Sequence, residues 1–155
     1  MRRWFWRALL LAAVAAVASA CDDNNNFSTP TGPTTPPTVV QETFKGQLPR
    51  NAAFTHPFSV SDAGDVSVFL LKSADPANPD NNAIPIGVSL GTWNSITASC
   101  AVVIASDNIV PVNTDNPSQG QLVGRATAAG NLCVRVYDVG FVPRSADYEL
   151  LIDHY

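Results

Sequence analysis

The chain has 155 residues, 46% of them apolar and only 14% charged, with nine basic against thirteen acidic side chains and a formal net charge of −4. That length allows one core of ordinary domain size with some chain to spare. An acidic chain without a basic patch has nothing with which to attract phosphates, which excludes nucleic acid as a partner.

Met1 to Ala20 has the three parts of a secretory signal: Arg2, Arg3 and Arg7 at the start, an apolar stretch from Ala8 to Val17, and small residues at its end. No acidic residue interrupts it. The apolar run from Trp4 to Ala18 is about fifteen residues, short of the roughly 20 that a spanning helix needs, so a cleaved leader is expected. Its last residues and the next, Ala18-Ser19-Ala20-Cys21, resemble the lipobox of bacterial lipoproteins, with Ala18 standing where leucine is usual. The resemblance implies a diacylglycerol on the Cys21 sulfur and an acylated amino group after cleavage. Several chains at about 0.8 kcal/mol per buried methylene would hold the protein on a bacterial membrane permanently. The other reading is a secreted protein cut after Ala20, whose free terminal thiol would be a liability in an oxidising compartment. Cleavage removes three of the nine basic residues and none of the thirteen acidic ones, leaving 6 minus 13, or −7.

From Asp22 to Val40 the chain is nearly all Asp, Asn, Ser, Thr and Pro, with prolines at 30, 33, 36 and 37. Such a segment cannot bury a core. Its proline density stiffens it, and at roughly 3.1 Å per residue it can reach about 60 Å in the extended limit. It reads as a spacer, or as a threonine-rich tract carrying sugars. The expected organisation is therefore a signal peptide over 1–20, a lipid-anchored linker over 21–40 and a single domain over 41–155.

In that domain no window keeps apolar residues at helical spacing without a Gly or Pro breaking it. Short runs alternate with period two instead, which predicts an all-β antiparallel sandwich or jelly roll of about eight strands. They are Glu42 to Leu48, Ala53 to Val60, Asp65 to Ser73, Ile84 to Trp93, Ser99 to Ser106, Gly120 to Ala126, Asn131 to Val139 and Asp147 to His154. The sets Leu132/Val134/Val136, Tyr148/Leu150/Ile152 and Val66/Val68/Leu70 each share a face expected to be core. Ser61-Asp62-Ala63-Gly64 and Ala128-Ala129-Gly130-Asn131 read as hairpin turns.

Three stretches together resemble the bacterial pre-peptidase C-terminal domain: Phe44-Lys45-Gly46-Gln47-Leu48; Phe54 to Ser61 with Gly64-Asp65-Val66; and Ala129-Gly130-Asn131 through Val134-Arg135-Val136-Tyr137 to Tyr148-Glu149-Leu150. The resemblance implies a jelly-roll-like module used for targeting or binding. That module is usually appended to a secreted hydrolase, and no hydrolase accompanies it here.

With Cys21 set aside, Cys100 and Cys133 remain, and in an exported domain the default is a disulfide. Two reduced thiols or a metal pair are the alternatives, although two cysteines without a nearby histidine make a poor zinc site. Cys133 sits on the face opposite Leu132, Val134 and Val136, whereas Cys100 shares parity with Val102 and Ile104. Either a bulge shifts one strand, or the bridge joins neighbouring strands near their ends.

Chemistry is sparse. His56 and His154 lie in no nucleophile or zincin motif, and a Ser-His-Asp triad is recognised by geometry, so catalytic residues are none and a small hydrolase is the remotest reading. Asp75 and Asp80 in the segment to Asn82, and Asp107 in another loop, offer calcium the oxygen ligands it accepts, but any solvated turn uses the same residues. Trp93, Tyr137 and Tyr155 would stack against a sugar if they shared an exposed face. The expectation is a non-enzymatic envelope lipoprotein without a cofactor, contacting an envelope protein or a glycan. The alternative is a calcium-assisted carbohydrate-binding module.

Overall fold

The computed structural model describes residues 37–113, 115 and 118–155. The leader, Cys21 and most of the proline-rich linker lie outside the described residues. Among the described residues there is no helix, and eight strands carry the fold: β1 (Val40–Pro49), β2 (Ala53–Val60), β3 (Gly64–Ala74), β4 (Ile86–Asn94), β5 (Ser99–Ile109), β6 (Gln121–Ala126), β7 (Gly130–Tyr137) and β8 (Ser145–His154). All eight expected strands form. The largest shift is at β5, which runs on to Ile109; the other strand ends move by two residues or fewer.

Period-two alternation becomes two-layer packing most plainly in β8, where Ala146, Tyr148, Leu150, Ile152 and His154 are buried and every residue between them is more open. Val66, Val68 and Leu70 of β3 meet Val134 and Val136 of β7 in the same core. Its inner side chains come from both sheets, as a sandwich requires.

One sheet has the order β1-β8-β3-β6 and the other β2-β7-β4-β5. β1 pairs with β8, β2 with β7, β3 with β6 and β4 with β5, all antiparallel. This nesting describes one long hairpin closed between β4 and β5 and then rolled up, with β3–β8 and β4–β7 pairing added by the roll. The result is an eight-stranded jelly roll.

The topology corrects the reading of the turns. β2 and β3 belong to different sheets, as do β6 and β7. The glycine-containing turns at 61–64 and 128–131 therefore carry the chain between layers and close no hairpin. The one hairpin between consecutive strands of a sheet is β4–β5. Its turn holds no glycine; Ala98 takes the left-handed backbone there, with φ 47°. Asn94 caps the turn by accepting from the amides of Ile96 and Thr97 at 2.9 and 3.1 Å.

Candidate functional site

Cys100 and Cys133 form a disulfide, with Cα atoms 5.9 Å apart. They lie on β5 and β7, which flank β4, and two ordinary steps across a sheet would separate them by about 10 Å. A bulge closes the gap. Leu90 pairs with Ile104 but Gly91 with Val102, so Val103 is an extra residue in β5. Ile104 packs against the core. The extra residue reverses the alternation, and Cys100 turns to the outer face, where Cys133 also points. The start of β5 then closes over Gly91, whose Cβ would stand 2.2 Å from the Ala101 carbonyl oxygen. The conflict of parity noted in the sequence is thus resolved by a bulge, and the bridge spans alternate strands.

The aromatic candidates do not make one platform. Tyr137 lies against Gly87, where a Cβ would meet its ring at 2.2 Å, and its hydroxyl donates to Asp107 at 2.6 Å. Burial, then the hydrogen bond and charge of Asp107, push its pKa up to about 12 against the opposing charge of Arg135. Trp93 is six positions further along β4, roughly 20 Å away. Tyr155 packs against Gly64 at the start of β3, in the other sheet. Asp107 is part of β5 and not of a loop. Asp75 accepts the Ala77 amide at 2.9 Å in a local turn. Among the described residues no three His, Cys, Asp or Glu side chains converge, so Asp75, Asp80 and Asp107 are not brought together.

Both histidines take part in contacts within the sandwich. The His56 Nε2 shares a 2.7 Å hydrogen bond with the Tyr148 hydroxyl, and the ring stacks on Phe44 with centroids 4.8 Å apart. Gly46 makes room for that phenol, since a Cβ there would stand 2.6 Å from its oxygen. Burial lowers the His56 pKa and raises that of Tyr148. His154 is buried, with Nε2 3.0 Å from Glu42 Oε1 and its ring against Phe58. Both stand where β1 and β8 of one sheet approach β2 of the other, and neither is hydrogen-bonded to a serine among the described residues. Asp138, just past β7, accepts the amides of Asn51, Gly140 and Val142. Burial alone would raise its pKa, but these bonds together with the Phe141 amide hold it below the usual value.

The surface that stands out was not marked by any catalytic or metal motif. From Asn81 to Ser106 the chain has no charged residue, and this stretch contains all of β4 and most of β5. Much of it is nevertheless exposed: Ile96 at the hairpin tip by 94%, Val103 at the bulge by 72% and Val102 by 46%. Beside Val103 the edges of β5 and β6 part in a half-open cleft of about 100 Å³, lined mainly by Leu90, Val103, Ile104, Gly124 and Leu132. Leu90 and Ile104 lean toward Gly124, which carries no side chain to meet them. Arg125 stands at the rim, ion-paired to Asp65 at 2.9 Å. Depletion of charge around exposed apolar groups marks the core of a protein interface. The uncharged run was visible in the sequence; its exposure was not, because an apolar run such as Val102-Val103-Ile104 in a strand reads as core.

No family model matches the chain, so the likeness to the pre-peptidase C-terminal domain rests on the residue pattern alone. No curated protein matches it in sequence at a significant level. Several solved structures align with it, among them these two. One is PliG of Aeromonas hydrophila, a periplasmic inhibitor of g-type lysozyme, at 12% identity over 72% of this chain and 83% of that one, with a TM-score of 0.45. The other comes from the disulfide-linked pili of Bacillus endospore appendages, at 10% identity over 76% and 88% of the respective chains, with a TM-score of 0.33. At these values neither bears on what this chain binds.

Proposed function

We propose that the chain is a lipid-anchored protein of the bacterial cell envelope that works by contact rather than catalysis, with the jelly roll as its interaction module. Cys21 carries the anchor, residues 22–39 form the spacer, and the face built on the β4–β5 hairpin meets a protein partner. The observation that carries this reading is that hairpin: uncharged from Ile86 to Ser106, exposed at Ile96, Val102 and Val103, and tied to β7 by the disulfide. The disulfide also supports export, because such bonds persist in oxidising compartments. The cleft supports a protein partner over a glycan or a drug-sized ligand. Small-molecule sites run to about 300 Å³ and more, and a cavity of about 150 Å³ holds benzene, so a cleft of about 100 Å³ suits one branched aliphatic side chain.

The test is a single culture with two readouts. Cells labelled with radioactive palmitate express the full chain, with or without Cys21→Ala, carrying a photo-crosslinkable residue at position 103. The expected result is label that depends on Cys21, and crosslinked protein adducts from position 103 that are absent when the probe sits at Asp62 in the β2–β3 turn. Equal labelling of both chains overturns the anchor. Equal adducts from both probe positions, or none from 103, overturn the contact surface.

A further inference from the structure

Ile96 and the cleft are complementary parts of one molecule. Ile96 is the most exposed of the large apolar side chains among the described residues, and it stands on a turn held by the Asn94 cap and by a 2.7 Å hydrogen bond between the Thr97 and Ser99 hydroxyls. An isoleucine so presented is a fixed knob. The cleft is a hole of the matching chemistry and size, and Thr92, four residues before Ile96, is part of its wall. Resting on the contact surface assigned above, we propose that its occupant is a second copy of this chain: the Ile96 of each copy enters the β5–β6 cleft of the other across a two-fold axis beside the hairpins.

Charge favours this occupant. The chain is acidic overall, so two copies repel each other over most approaches. Hairpin against hairpin is an approach with no charged side chain from Asn81 to Ser106 on either side, and Arg125 at the cleft rim is already paired with Asp65 within its own chain. No charge is therefore stripped of water without a partner. A strongly basic or acidic ligand would find no counter-charge between Asn81 and Ser106. Symmetry favours it as well. Because knob and hole adjoin one hairpin, a single two-fold axis satisfies both at once, and the contact closes at the dimer instead of propagating as a fibre. The bulge at Val103 interrupts the regular edge of β5, which turns the association away from continuous strand addition and toward side-chain insertion.

The experiment measures the mass of the detergent-solubilised full chain by sedimentation, for wild type, Ile96→Asp and Ile96→Val. Because Ile96 is almost fully exposed, neither substitution disturbs folding. Wild type and Ile96→Val are expected as dimers. Ile96→Asp removes two apolar anchors per dimer and is expected to weaken association by about a hundredfold or more. A photo-crosslinker at position 96 should join the copies at Val103, Ile104 or Gly124. A monomeric wild type overturns the proposal, and if position 103 still crosslinks another protein in cells, the contact surface itself survives. A dimer unchanged by Ile96→Asp, or crosslinks from position 96 that land elsewhere, overturns the knob-and-cleft pairing.

Discussion

Gly91 shows how much of this surface depends on one missing methyl group. It has no side chain on the outer face of β4, and the Ala101 carbonyl occupies the place where a Cβ would sit. Backbone cannot yield as a flexible side chain can. Gly91→Ala is therefore expected to destabilise the domain by about 2–3 kcal/mol, read as a lower thermal midpoint, because the start of β5 must lift away from β4. Gly130→Ala is the control, since a Cβ there meets nothing within 4 Å and no left-handed backbone is required of it. Equal losses in the two variants would show that the close approach at Gly91 is not what constrains the hairpin.

The β4–β5 hairpin is the closed end of the rolled chain and also its least ordinary element. It has a bulge at Val103 and a second irregularity between the pairs Ile86/Ile109 and Val88/Ser106, where Asn108 takes φ 60°. Its outer side is held by one covalent bond to β7. Cross-linking residues separated by 33 positions removes denatured-state freedom worth about 3–4 kcal/mol. Cys100→Ser with Cys133→Ser is expected to lose about that much by urea denaturation. The element-level signature is local: amide exchange should accelerate first over Ser99 to Val102, while β8, held between β1 and β3, keeps its protection. Uniform acceleration in all strands would mean that the bond stabilises the whole sandwich evenly and does not hold the hairpin in particular.

Across the whole molecule the two layers meet on unequal terms. On the β5–β6 side they part in an apolar cleft, whereas at the β1–β2 side Phe44, His56 and Tyr148 close the seam. Burial keeps the folded-state pKa of His56 below its ordinary value of 6.5. In the window from 6.5 down to that lowered value the unfolded chain binds the extra proton, so stability is retained above 6.5 and falls as pH falls through the window. Urea midpoints of the full chain at about pH 7.5 and about pH 5.5 are expected to drop more for wild type than for His56→Phe, which keeps the stacking on Phe44 without a titrating ring. An identical drop would assign the acid sensitivity to other groups.

What the sequence by itself determined is local in character. Period-two alternation placed all eight strands and the inward faces of β3, β7 and β8, because the pleat of a strand depends on its own residues; Tyr148, Leu150 and Ile152 read the same alone as in the sheet. A disulfide between Cys100 and Cys133 was expected from the count of cysteines. Which strands pair, which turns cross between layers and which apolar residues stay outside were decided only by the tertiary structure. Rolling the long hairpin turned the glycine-containing turns into crossings between sheets. A single extra residue at Val103 reversed the facing of Cys100, and pairing in the sheet left Ile96 at the hairpin tip and Val102 and Val103 on an edge strand that no other described strand covers. Burial is a property of the neighbours a residue acquires, and those neighbours come from parts of the chain that no local pattern relates.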